Sequence, residues 1–324
     1  MPQPHEVEHA AGAAAEAAHG AAEAAHGAAS EGFNAGETII GHVANSSLDH
    51  PLIHLPKVFG IDMSVTKHVF MLWVIAAVLL LVVTVSVRRY LSQERKVPKG
   101  FMSLLEYLIV RIRDEMVEPN VGRKWVNAWT PLLATFFLFI LTSNLIGLVP
   151  IFEVLNLANH TVVHAGPDSF LTQVIHGGST PTSNFNVTAG LAIISFFAII
   201  SAGTLAHGFV KHWKNMIPHG LPIPIYFLLI PIEIIGMFVR PFALTMRLAA
   251  NMTGGHIAIL AILSFVFIFA ELSGSALVGI GVGVPSLAVA SLISVLEVIV
   301  ALVQAYVFTL LTAVFIGMAI HAHH

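Results

Sequence analysis

The residues that could do chemistry in this chain stand inside its most apolar segments. Glu233, Arg240, Arg247, Asn251 and His256 interrupt one apolar run over 223–270, and Glu297 and Gln304 interrupt a second over 285–320. An ionised arginine at the bilayer centre costs roughly 2.5–3.5 kcal/mol on insertion scales, and more by other estimates. No Lys or Arg follows Arg247 to share that cost. Such a residue faces protein or a water-filled cavity, and function is its default explanation. Glu233, Arg240 and Arg247 repeat at intervals of seven. At about 100° per residue they keep within about 40° on one helix face, and Asn251 lies about 40° from Arg247 on the same stripe. His256 is about 180° from Arg247 on an unbroken helix, although Gly254-Gly255 offers a bend just before it. Glu297 and Gln304 are again seven apart and share a face.

His and Glu are the side chains that take and release protons within reach of neutral pH once their surroundings tune them. A guanidinium keeps its charge. A fixed cation beside proton-carrying groups makes an electrostatic gate. The plainer explanation is that these residues only tie helices together by buried hydrogen bonds, each worth about 0.6 kcal/mol in membranes. That suffices for a lone Asn or Gln. Helix packing does not require Arg247, His256 and Glu297 in one hairpin.

The elements that must position these groups are membrane helices. The chain has 324 residues, 56% hydrophobic and 10% charged, against about 25% charged in a soluble domain. The composition is that of an all-α polytopic membrane protein. Five crossings are expected, at about 68–87, 132–150, 187–209, 223–270 and 285–320. The last two exceed the ~17–25 residues of one perpendicular crossing, so a long tilted hairpin is expected. Pro231, Pro241 and Gly254-Gly255 offer bends in its first arm. Gly279, Gly281 and Gly283 before Pro285 suggest the turn between the arms.

Nine of the fifteen Lys and Arg lie in 88–124. Within that stretch, 101–113 has apolar residues at helical spacing and basic ones at one end, as an amphipathic surface helix does. Basic loops stay cytoplasmic. The segment 151–185 has no Lys or Arg, whereas Lys211 and Lys214 follow the third crossing. The N-terminus is therefore expected outside and the C-terminus inside. Residues 1–36 are an Ala/His-rich tail with two copies of Ala-Ala-Glu-Ala-Ala-His-Gly between Ala14 and Gly27. The tail lacks the large apolar residues of a core and has neither basic nor apolar signal-peptide regions. Its histidines could hold a metal loosely, but a solvated tail is the simpler reading. Residues 37–67 suggest a short surface-lying segment.

Several classes are excluded. There is no cysteine, hence neither a disulfide framework nor a thiolate metal site. No phosphate-cradling GxxxxGK[ST] loop occurs, so no nucleotide is expected on this chain. The net charge of -3 argues against nucleic acid. An intramembrane metalloenzyme is suggested by eighteen histidines, but no HExxH occurs. A stand-alone secondary transporter would show inverted repeats between its halves, and none is visible.

Arg247-Leu248, Asn251-Met252, Gly255 and Val303-Gln304-Ala305-Tyr306-Val307-Phe308 resemble subunit a of the F-type ATP synthase. Ser143 through Pro150 looks like that family's second-helix motif. Pro181-Thr182 followed by Asn186-Val187-Thr188 looks like the approach to its next helix. The resemblance runs in order from about residue 40 onward. It implies a five-crossing stator subunit of an inner membrane, non-catalytic by itself. Its partners would be a rotating ring of c subunits, the b-subunit peripheral stalk, other synthase subunits and lipid, with no cofactor and no metal. Arg247 matches the essential arginine, whose implied role is to attract each ring carboxylate and to keep two half-channels apart. Asn251 and Gln304 match polar residues near it. His256 stands where many members have Glu, and Glu297 where they have His, like an exchanged pair. Glu233 and Arg240 would lie toward the inner half-channel. Asn144 agrees in type with the family motif. Gly147 stands where some members carry Asp, and Glu153 is a candidate to take over that role. Protons are the expected coupling ion, with Na⁺ the alternative.

Overall fold

A computed structural model describes residues 34, 36, 64–93, 97–148, 159, 180–215 and 223–321. The tail, most of the 37–67 segment, Glu153 and most of its loop, and the last three residues lie outside the described residues. The described part is all-α. Five helices are long and apolar enough to cross a membrane, as expected, and the protein is a multi-pass membrane protein.

Helix α1 (Lys67–Leu91) carries Arg88 and Arg89 in its last turn, where cations complement the helix dipole. Helix α2 (Phe101–Arg111) is the amphipathic segment. It buries Leu105 and exposes Phe101, Leu104 and Tyr107. It runs into a π-helical turn (Ile112–Val117) and the short α3 (Glu118–Val121), which ends at Gly122 with φ 79°. Helix α4 (Val126–Leu148) begins six residues before the expected crossing and passes through Pro131. Thr135 Oγ1 donates to the Pro131 carbonyl at 2.8 Å, the i−4 back-bond that Thr makes inside helices. A 3₁₀ turn (Pro181–Ser183) leads into α5 (Phe185–His207). Asn184 caps α5 by accepting from the Asn186 N–H at 2.8 Å. After Gly208 comes α6 (Phe209–Asn215).

Helices α7 (Ile223–Ser273, 51 residues) and α8 (Ala276–Ile320, 45 residues) form the long hairpin. At 1.5 Å per residue they are about 76 and 68 Å long, more than twice a ~30 Å hydrocarbon core. Both run unbroken through Pro231, Pro241 and Pro285, and α7 also passes through Gly254-Gly255.

The structure corrects the expected turn. It lies at Gly274, whose φ of 59° is cheap only for glycine. Ser275 N–H donates back to the Ala270 carbonyl at 3.2 Å. Gly279, Gly281 and Gly283 lie inside α8 instead. At Gly279 a Cβ would sit 2.6 Å from that of Ala270. The glycine serves close helix approach, the use of small residues in membrane packing.

The described residues of 260–290 form one compact unit, and those of 42–259 with 291–324 form another. The core of the larger unit includes Leu133, Ile140, Leu248, Phe308 and Ile316. Phe136 and Phe308 meet edge to face at 5.6 Å, a favoured aromatic geometry. Ser195 Oγ donates to Thr312 Oγ1 at 3.1 Å, linking α5 to α8.

Candidate functional site

The seven-residue spacing on α8 places Glu297 and Gln304 against α7. Both are buried, at 2% and 4% exposure. Asn251 Nδ2 donates to Gln304 Oε1 at 3.1 Å. Five residues further along α7, His256 Nδ1 stands 2.8 Å from Glu297 Oε1. The two contacts rise in number on α7 and fall on α8, as an antiparallel pair must. Gly255 makes the second contact possible: a Cβ there would lie 2.5 Å from Glu297 Oε1. The other carboxylate oxygen, Oε2, is buried with no hydrogen-bond partner among the described residues.

The 3₁₀ turn closes the same place from a third side. Thr180 Oγ1 is 3.2 Å from His256 Nε2. Thr253 Oγ1 donates to the Ser183 carbonyl at 3.0 Å. Asn144 on α4 is wholly buried. Its Nδ2 donates to the Ala301 carbonyl at 3.2 Å, and its Oδ1 accepts from Thr182 Oγ1 at 2.6 Å. Both ends of its amide are committed, so Asn144 ties α4 to α8 and to the turn. His256, Glu297, Asn251, Gln304 and Asn144 are thus gathered on α4, α7 and α8, while Glu153 lies outside the described residues.

The arginines differ. Arg240 pairs with Glu233 at 3.6 Å and lies 5.4 Å from the Phe315 ring centroid, a cation–π contact. Arg247 is exposed. Among the described residues it makes no hydrogen bond and no ion pair. Its neighbours Leu248 and Leu244 point into the core, so the helix is anchored while the guanidinium is presented outward.

The sequence matches the family described as ATP synthase A chain over residues 69–317. The chain belongs to the ATP synthase A chain family. Among its relatives is the ATP synthase subunit a of Chloroherpeton thalassium, 38% identical over 277 residues, covering 84% of this chain and 72% of the relative. The ATP synthase subunit a 2 of Chlorobium luteolum is 38% identical over 293 residues, covering 88% and 76%. That of Prosthecochloris aestuarii is 37% identical over 316 residues, covering 95% and 87%.

For this A-chain family member, the hydroxyl cluster of Thr180, Thr182 and Thr253 was not singled out from the sequence as part of a site. Its signal was the run of Ser, Thr and Asn over 179–188, polar beyond what a helix cap needs. A second histidine group also went unnoticed. His207 Nε2 lies 2.8 Å from the Ile320 carbonyl. His212 packs on Gly203, where a Cβ would meet its ring. Burial first, and then the charge of His207, push the His212 imidazole below its ordinary pKa.

Proposed function

We propose that this chain is the proton-conducting stator subunit of the membrane sector of an ATP synthase, non-catalytic by itself and lying in a bacterial inner membrane. The observation that carries the reading is the ion pair of half-buried His256 with buried Glu297, on the same hairpin as an arginine that has no partner among the described residues. The name shared by the family and its relatives supports it.

Protons enter from outside through an aqueous half-channel at His256 and Glu297. Glu297 Oε2, which has no hydrogen-bond partner among the described residues, is a position where a proton can sit without displacing another hydrogen bond. Asn251 and Gln304 line the path toward Arg247, and Asn144 holds its wall; Glu153 is the candidate acid for the outer half-channel. The proton then neutralises a carboxylate on a rotating ring of c subunits. Only the neutral form can turn through lipid at low cost, since an ionised carboxylate there costs several kcal/mol. After nearly a full turn the carboxyl releases its proton to an inner half-channel near Glu233 and Arg240. Arg247 attracts the ionised form as it passes and blocks protons from crossing directly between the two paths. The basic segment 88–124 and the C-terminus lie on the cytoplasmic side, and the N-terminus lies outside. A peripheral stalk of b subunits holds the chain against the torque. Each proton falling through 100 mV supplies about 2.3 kcal/mol, so several are needed per ATP. The pair favours protons over Na⁺, because an imidazole adds nothing for a cation that takes oxygen ligands.

The test is ATP-driven acidification of membrane vesicles containing the assembled enzyme. Glu297→Gln slows it by about a hundredfold, the size of a lost proton-transfer group, while the c ring still copurifies. Exchanging the two residues (His256→Glu with Glu297→His) recovers more flux than either single change. Unchanged flux in Glu297→Gln removes the pair from the path, and absence of a copurifying ring removes the stator assignment.

A further inference from the structure

Thr180 and Gly147 form a structural couple at the His256–Glu297 pair. Thr180 is completely buried. It precedes the 3₁₀ turn in extended conformation, with φ -61° and ψ 117°. That conformation aims its hydroxyl across to α7, 3.2 Å from His256 Nε2. On the far side lies α4, and the residue it meets there is Gly147. A Cβ at 147 would collide with the Thr180 hydroxyl and lie 2.6 Å from its Cβ. Thr180 occupies this position only because residue 147 has no side chain.

The hydrogen-bond chemistry gives the couple a purpose. An ionised carboxylate only accepts, so whenever Glu297 is ionised the His256 Nδ1, 2.8 Å from its Oε1, is the nitrogen that donates. The protonation change of the ring then falls on Nε2. When Nε2 is bare it needs a donor, and when it is protonated it needs an acceptor. A hydroxyl is both, by rotation about one bond. Among the described residues, the groups bonded to the ring are Glu297 from α8 and Thr180 from the turn, and of these only Glu297 can carry charge. We propose that Thr180 is a positioning residue for His256, its hydroxyl serving both protonation states of Nε2, and that Gly147 is the position that makes room for it. This rests on the proton-path reading of His256 and Glu297.

Removing the hydroxyl at constant shape takes away the partner that Nε2 has among the described residues, which strands one protonation state. Groups that fix the tautomer and orientation of metal-bound imidazoles are worth about 10-fold or more, and the same order is expected for a proton-carrying imidazole. The experiment measures ATP-driven acidification as a function of pH, in vesicles whose c ring copurifies with this chain. Thr180→Val is expected to slow the rate about tenfold and to move the pH of half-maximal rate. Thr180→Ser is expected to recover both rate and pH profile. Gly147→Ala, which displaces the hydroxyl without touching it chemically, is expected to reproduce the Val variant. A Thr180→Val enzyme with the parent's rate and pH profile overturns the inference, and so does a Thr180→Ser enzyme that fails to recover. If Thr180→Val does not assemble, parent-like pH profiles in both Thr180→Ser and Gly147→Ala overturn it as well. Glu297→Gln in the same assay separates the two levels. If Glu297→Gln is slow and Thr180→Val is not, only the role of Thr180 falls; if Glu297→Gln is itself unchanged, the path through the pair falls with it.

Discussion

Arg240 and Arg247 stand seven residues apart on one helix and end in opposite situations. Arg240 is satisfied within the chain, with Glu233 at 3.6 Å and the face of Phe315 at 5.4 Å. Arg247, exposed, has neither a carboxylate nor a ring among the described residues. Both carry the same charge through the same apolar helix. In a membrane, a charge with partners of its own belongs to the protein's internal structure, and a charge without them is held for something outside. The proposed separation of a gate from a mouth charge thus rests on who answers each arginine, and not on sequence spacing, which treats the two alike.

That contrast can be sharpened by removing the in-chain partners. Arg240→Ala and Glu233→Gln each lower ATP-driven acidification by less than about fivefold, because an ion pair with side chains 31% and 37% exposed is worth at most about 1 kcal/mol. Their double variant is no worse than the poorer single one, since both remove one interaction. Strictly additive losses would show that the two residues act separately and that Arg240 has a task beyond its pair.

A smaller effect extends the comparison to histidines. His256 is held by hydrogen bonds on both ring nitrogens, whereas His212 is held chiefly by burial against Gly203. Its folded-state pKa lies below the ordinary value, so the opened segment binds its proton more readily than the packed one. The contribution of His212 is therefore complete at pH above about 6.5 and declines as pH falls below that value. Amide hydrogen exchange over 207–215 should quicken at pH 5.5 relative to the intrinsic rate, and His212→Phe should remove that acceleration. Exchange that tracks the intrinsic rate at both pH values would place the histidine's charge outside the energetics of this segment.

Much of this arrangement was legible in the sequence because membrane helices obey a single period. The interval of seven between Glu297 and Gln304 brought both to bear on α7. The nine-residue offset from Arg247 to His256 pointed the histidine away from the arginine, and the unbroken helix kept that geometry. Two features were not legible. The turn was expected at Gly279–Gly283 because glycines before a proline are strong punctuation in water. Inside a hydrophobic hairpin the same residues allow close packing, and the turn fell to Gly274, in a Ser273-Gly274-Ser275 turn signal that the glycines before Pro285 overshadowed. Thr180 was missed for a different reason. Its partner His256 lies 76 residues away, and the glycine that admits it is on a third helix. A contact made by three separate segments leaves no periodic trace in any of them.

The measurement that tests the account most directly is ATP-driven acidification by the assembled enzyme carrying Arg247→Ala, scored beside Arg240→Ala in vesicles with equal copurifying c ring. The first variant is expected to assemble and pump no protons, while the second keeps most of its activity. Pumping by Arg247→Ala at a rate close to that of Arg240→Ala would contradict it, because the unpartnered arginine would then be doing no more than the paired one.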